Sequence, residues 1–367
     1  MPSGFDNKDY GDYFKALEEN LNKPQKRKIP EPEPQQSERT FPKLKLRFNK
    51  AVVATVLAVI LLVTTVSVGI SISVKNGNKP QEEVTSKPTE IKEEKEEKLS
   101  YTFPAPETPD ILDTNDAACA IIVDKSTNQV VAARNAHQRA FPASTTKIMT
   151  LLVAVENITD LNETFTMTYA ITDPLFVQGA SIAGFLNGET IPLIDMLYGA
   201  VLPSGADAAV GLAMHIAGSE EAFVEMMNQK VEELGLENTH FTNVVGLHNE
   251  DNYSTAYDMA IITDAAMQNE LCRQILSTYQ YTTTKTPQNP DGILLSSTLY
   301  SYMYGNEPET AVITGGKTGY VNESGYCIAS YGTGNQSGKE YIVVTLGNSS
   351  LWPAIHGQIA LYKEYAK

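Results

Sequence analysis

The sequence predicts an α+β domain: an antiparallel sheet assembled from both ends of the folded region, flanked by helices, with an inserted helical region between. Three observations lead there. Two short apolar runs either side of residue 125 read as a hairpin. Strand-like runs crowd the far end of the chain, at 310–314, 325–331 and 341–346. The stretches between carry apolar residues at helical spacing.

Three segments precede that domain. Residues 1–50 are polar, rich in Pro and charge, and predict a mostly disordered tail. Residues 51–74 contain no charged side chain and are dominated by Val, Leu, Ile and Thr. At about 1.5 Å per residue they are long enough to cross a hydrocarbon core of roughly 30 Å, so a transmembrane helix is expected. Lys43, Lys45, Arg47 and Lys50 precede it, and only Lys75 and Lys79 follow closely. That excess predicts a cytoplasmic N-terminus and a single pass through the cell membrane, with the domain outside. The apolar run is too long, and too far from the terminus, for a cleaved signal peptide. Residues 75–109, rich in Glu, Lys and Pro, predict a solvated stalk.

The folded domain is expected over 110–367. Residues 118–123 read as a strand, 124–128 as a turn, and 129–133 as its partner. The next stretch organises the rest: 141–150 reads F-P-A-S-T-T-K-I-M-T. Pro142 suits a helix start. Ile148, Leu151, Leu152 and Val155 then give i, i+3, i+4, i+7 spacing, a buried helix face. Ser144 and Lys147, three apart, share one side of that first turn. Unpaired N–H groups at the helix start lie beside them.

Residues 165–189 mix glycine and proline and yield no assignment. Helices follow at 193–201, 208–216 and 220–234, the last stopped by Gly235. Thr255-Ala256-Tyr257-Asp258 resembles a capping box with Asp for Glu, ahead of a helix over 259–267. Residues 285–309 read as loop with a short apolar piece. A helical pattern over 351–365 closes the domain.

Composition narrows the function. The formal charge is −16, so nucleic acid is not an expected partner. The five histidines form no metal-ligand spacing, and neither a metal nor another cofactor is expected. Of the three cysteines, Cys119 and Cys327 lie in strand-like runs and read as buried core thiols.

Three short motifs stand in order: Ser144-Thr145-Thr146-Lys147, Ser204-Gly205-Ala206 and Lys317-Thr318-Gly319. Each is common alone; their order and wide separation are specific. From about Ala117 onward the chain resembles the low-molecular-weight D-alanyl-D-alanine carboxypeptidases, within the serine β-lactamase and DD-peptidase superfamily. The stretches that carry this are P-A-S-T-T-K-I-M-T, L-P-S-G-A-D-A-A, Y-S-T-A-Y-D-M-A and G-G-K-T-G-Y-V-N-E-S-G-Y. The resemblance implies the DD-peptidase-like fold and an acyl-enzyme at Ser144, with Lys147 as base. It implies that Ser204 passes a proton to the leaving D-alanine. It further implies that Lys317 and Thr318 attract the terminal carboxylate of the substrate. Gly319 lets the substrate backbone lie along the strand, and the N–H groups of Ser144 and Tyr320 form the oxyanion hole. Peptidoglycan stem peptides are the implied substrate and β-lactams the implied inhibitors.

Lys147 serves as a base only if its pKa falls from about 10.4 to near 7. Burial and a second nearby cation, Lys317, both act that way. The chain departs from the family in two places. Ala206 stands where the family has Asn, and Asn252 stands where relatives often carry His. The Ala206 departure keeps a second reading open, a catalytically weak domain that binds wall peptide or β-lactam and reports through the span. A β-lactamase ranks lower, because no separate deacylating glutamate is recognisable.

Overall fold

The computed structural model describes residues 116–366. The expected tail, membrane span and stalk lie outside the described residues. Among the described residues no helix is long and apolar enough to cross a membrane.

The centre is a five-stranded antiparallel sheet in the order β2-β1-β9-β8-β7. β1 (Cys119–Asp124) and β2 (Gln129–Arg134) form the expected hairpin. β7 (Ala311–Val321), β8 (Gly325–Gly334) and β9 (Glu340–Asn348) come from the other end. The two ends meet where β1 pairs with β9, Ile121 opposite Val344. All six residues of β1 are buried, because both faces of the sheet are covered. Period-two alternation splits them. Ile121 and Val123 face the larger core, with Met149, Leu197 and Ile262. Ala120 and Ile122 face a smaller core under the closing helix α9 (Leu351–Tyr365), with Ile355 and Tyr362.

Helices fill the larger core. They are α1 (Lys147–Asn157), α2 (Tyr169–Val177), α3 (Leu193–Val201), α4 (Ala206–Ala217), α5 (Glu220–Glu233), α6 (Ala256–Gln268) and α7 (Glu270–Leu276). The helix expected from residue 208 starts two residues earlier, at Ala206. α5 ends before Gly235, which takes a φ of 71°. The Thr255 box forms by half. The Thr255 hydroxyl accepts the Asp258 N–H at 2.9 Å, while the Asp258 carboxylate turns to the Thr239 hydroxyl and the Asn238 N–H. Asp is one methylene shorter than the Glu of a full box.

The stretch read as loop, 285–309, is more ordered than expected. β6 (Leu294–Ser296) pairs with β5 (Gln280–Thr282), and α8 (Thr298–Met303) follows. A second pair of the same size, β3 (Thr164–Thr166) and β4 (Thr190–Pro192), brackets the region without an assignment. Cys119, Cys272 and Cys327 are all free and buried. Burial pushes the Cys272 thiol up to about 12 and Cys327 to about 11.

Candidate active site

Ser144 sits in a single 3-10 turn, Ala143–Thr146, and Lys147 is the first residue of α1. The sequence predicts one continuous helix here. The tighter turn differs because Ala143 takes a φ of 48°, in the left-handed region. In a 3-10 turn, residues three apart eclipse one another, which sets Lys147 directly against Ser144. Lys147 Nζ donates to Ser144 Oγ at 3.2 Å and to the Val245 carbonyl at 2.8 Å. Ser144 Oγ lies 3.4 Å from the same carbonyl.

That carbonyl belongs to a loop the sequence reading missed. Asn243 Oδ1 accepts the N–H groups of Val245, Gly246 and Leu247 at 3.2, 2.7 and 3.1 Å. Glu220 Oε1 accepts the Val244 N–H at 3.1 Å, and the Thr150 hydroxyl donates to the Val244 carbonyl at 2.7 Å. Gly246, at φ 79°, lies so close to the 3-10 turn that a Cβ would fall 1.8 Å from the Ala143 carbonyl oxygen. A backbone carbonyl leaves no side-chain signature. The available signal was Asn243 followed by Gly246, the pairing of a loop closed on its own side chain.

Lys147 is 2 % exposed. Burial lowers its pKa to about 7, against the pull of the Asp207 carboxylate. Asp207 itself accepts the N–H groups of Ala183, Gly184 and Phe185 at 2.7, 3.0 and 3.2 Å, which pins that loop to α4. Lys317, on β7, is also buried, and its Nζ donates to the Thr318 carbonyl at 2.7 Å. Burial first, and the Lys147 charge second, hold it well below the usual lysine range. The expected help from Lys317 in lowering Lys147 is not seen: burial alone lowers Lys147, and it is the Lys147 charge that acts on Lys317.

Ser204 is the second motif's contribution, from the α3–α4 turn. It takes a φ of 65°, and its Oγ is buried with no hydrogen-bond partner among the described residues. Ala206 follows, its N–H on the Ser181 carbonyl at 2.7 Å. Thr318 and Thr298 share a hydroxyl hydrogen bond of 2.6 Å, and the Thr298 N–H donates to the Leu202 carbonyl at 3.0 Å. Thr298 thus ties β7 to the turn that carries Ser204. It was not singled out from the sequence. Gly319 is a matter of close approach: a Cβ there would lie 2.7 Å from Ser144 N and 2.9 Å from Thr145 N. Tyr320 is exposed, with its hydroxyl on Asn322 Oδ1 at 2.8 Å. Asn252 is buried and structural, accepting the Thr242 N–H at 3.0 Å.

A cavity of about 540 Å³ is lined by Ser144, Lys147, Ser204, Thr318, Gly319 and Tyr320. Ala206 also lines it. Lys317 is not among the lining residues; it is buried next to Thr318, to whose carbonyl its Nζ donates. A half-buried hydroxyl, a buried amine of depressed pKa and an unpartnered second hydroxyl thus face one space. The first two come from one segment and the third lies about sixty residues on, while Thr318 and Gly319 add a wall from a third segment far from both. A family model described as D-alanyl-D-alanine carboxypeptidase matches residues 105–350.

The chain belongs to the D-alanyl-D-alanine carboxypeptidase family.

Members similar to it include the carboxypeptidase DacF of Bacillus subtilis, 33% identical over 64% of this chain and 58% of that protein. DacA of Escherichia coli K12 is 34% identical over 60% of this chain and 54% of its own length. The chain therefore spans little more than half of these curated family members. Among solved structures, a single-site variant of the Streptomyces K15 DD-transpeptidase superposes with a TM-score of 0.63 at 29% identity, covering 69% of this chain and 99% of that one. Penicillin-binding protein 5 of Haemophilus influenzae gives 0.59 at 28% identity, covering 68% of this chain and 70% of that one. The mixed sheet-and-helix architecture is that of the family.

Proposed function

We propose that this chain is a serine D-alanyl-D-alanine carboxypeptidase that removes the terminal D-alanine of peptidoglycan stem peptides. The observation that carries the reading is the Ser144–Lys147 pair. A serine hydroxyl needs a base, and a buried lysine with a pKa of about 7 is one at neutral pH. Neutral Lys147 takes the Ser144 proton as Oγ attacks the carbonyl carbon of the penultimate residue. The N–H groups of Ser144 and Tyr320 receive the oxyanion. The C–N bond breaks, and the proton reaches the leaving amine by way of Ser204, whose hydroxyl has no hydrogen-bond partner among the described residues. Water then attacks the Ser144 ester, with Lys147 again as base, and releases the shortened peptide.

β7 is the edge strand of the sheet, which suits an extended peptide laid alongside it. The terminal carboxylate meets the Thr318 hydroxyl, oriented by Thr298. Buried Lys317, next to Thr318, adds its charge. A bound carboxylate favours its charged form and so offsets the burial that depresses it. Penicillins acylate the same serine. The test is incubation with benzylpenicillin followed by mass mapping. Label is expected on Ser144 alone, with none in Ser144→Ala. Label that survives in Ser144→Ala overturns the nucleophile assignment.

The reading includes the anchor. Residues 51–74 cross the cytoplasmic membrane once, with residues 1–50 inside and the catalytic domain outside, where its substrate lies. Protease added to intact cells is expected to remove the domain and spare the tail. Protection of the domain would refute both the orientation and the wall substrate. Ala206 favours one second reading, a slow domain that binds wall peptide or β-lactam and signals inward. D-Alanine release by the purified protein separates the two.

A further inference from the structure

A second cavity, of about 440 Å³, adjoins the catalytic one. Gln178, Val245, Leu247 and His248 belong to both walls, so the spaces are contiguous. Its apolar side is made by Ile171 and Leu175 of α2 and Val210 of α4. Its carboxylate is Glu220, at the start of α5, and no lysine or arginine lines it. Glu220 Oε1 accepts the Val244 N–H, and no cation pairs with this carboxylate among the described residues. Burial raises its pKa, against the opposing Val244 N–H. A half-buried carboxylate without a counter-charge, facing an open cavity, is an unmet electrostatic demand.

We propose that this cavity is an ammonium-binding subsite, in which Glu220 receives a primary amine borne by the acyl side of the substrate. The proposal rests on the serine carboxypeptidase reading and deepens it. Distances fit. The Val244 N–H touches Glu220 and the Val245 carbonyl lies beside Ser144, so carboxylate and nucleophile contact successive residues of one loop. Their separation is at most about 13 Å, less wherever the loop bends. In a peptide ending in Lys-D-Ala-D-Ala, one Cα step and a lysine side chain place the amine about 10 Å from the scissile carbonyl. The apolar wall suits the methylene stem of such a side chain, and the carboxylate suits its head. Stem peptides with a diamino residue before the two D-alanines have this chemistry. A neutral residue at that position leaves Glu220 unpaired.

The test uses the purified full chain and two peptides, each Nα-acetylated and ending in Lys-D-Ala-D-Ala, one with a free ε-amine and one ε-acetylated. The ratio of their kcat/KM values is the readout. The wild type is expected to favour the free amine by about tenfold or more, the scale of a charge-assisted hydrogen bond. Glu220→Gln keeps an acceptor for the Val244 N–H and is expected to bring the ratio near one. Benzylpenicillin labelling of the same variant reports whether the Val245 carbonyl stays in place. Val210→Lys supplies an internal ammonium without touching the Glu220 hydrogen bond, and is expected to erase the preference too. A wild type that cleaves both peptides equally, or a preference that survives both variants, overturns the subsite while leaving the carboxypeptidase reading standing. If the wild type cleaves neither peptide, that reading fails and the subsite falls with it.

Discussion

Ala206→Asn restores the side chain that the family motif carries, and its effect has two opposed parts. Lys147 Nζ has three protons and two partners, Ser144 Oγ at 3.2 Å and the Val245 carbonyl at 2.8 Å. Ala206 lines the same cavity, so an Asn amide there adds an acceptor for the third proton and a donor for substrate. A bond to the charged amine stabilises the protonated form. At about 1.4 kcal/mol, it moves the acid limb of the pH–rate profile from near pH 7 towards pH 8. The neutral fraction at pH 7 then falls from about one half to about one tenth. The contact to substrate works the other way, and one neutral hydrogen bond of about 0.5–1.5 kcal/mol raises the rate roughly two- to tenfold. The two effects roughly offset at pH 7, leaving about half to about twice the wild-type rate, while on the plateau above pH 9 the variant is faster by the full two- to tenfold. The assay is the second-order rate of benzylpenicillin acylation from pH 6 to pH 10. A limb that stays in place, together with an unchanged plateau, would refute the placement of residue 206 against Lys147.

Two further substitutions probe the frame around that pair. Lys317 has a folded-state pKa held well below its unfolded value, so the unfolded state binds the extra proton and stability rises with pH through that interval. Lys317→Met is accordingly expected to raise Tm at and below neutral pH, with the gain fading towards pH 10, while carboxypeptidase activity is lost; a lower Tm at every pH would count against the burial argument. Gly319→Ala places a methyl 2.7 Å from Ser144 N, so β7 and the 3-10 turn must separate. Penicillin labelling is expected to slow about a hundredfold, with stability reduced by about 1–3 kcal/mol, and normal labelling would show that the strand does not abut the nucleophile.

The sheet, its closing helix and the motif residues were legible in the sequence because each rests on a strong local signal. β1 and β8 are apolar runs, α9 has helical periodicity, and Ser144, Lys147, Ser204 and Thr318 fall in recognisable triplets. What stayed hidden depends on tertiary contact. α8 has six residues and β5 and β6 three each, too short for periodicity to register. Thr298 matters only because β7 brings Thr318 within 2.6 Å of it. The Val245 carbonyl could not be read at all, since its role follows from where Asn243 and Glu220 hold the loop. The positive φ at Ala143 and Ser204 was equally silent, because alanine and serine are not the residues that announce it. Lys317 was legible as part of the site, but its near-complete burial was not.

The meeting of β1 with β9 also has a temporal side. Ile121 pairs with Val344, so at 5–20 residues per second the ribosome takes roughly ten to forty seconds between making the two. Over that interval β1 has its hairpin partner but an empty flank where β9 belongs. Ser144 is complete early, yet β7, which walls its cavity, is among the last strands to appear. The nascent chain therefore carries a serine and a lysine in adjacent turns with no cleft to use them in. Competence arrives late and all at once, when the last strand closes the sheet, and long-range pairing of this kind is slow to form. A chain truncated before β9 should be inert as well as unstable, however intact its motifs.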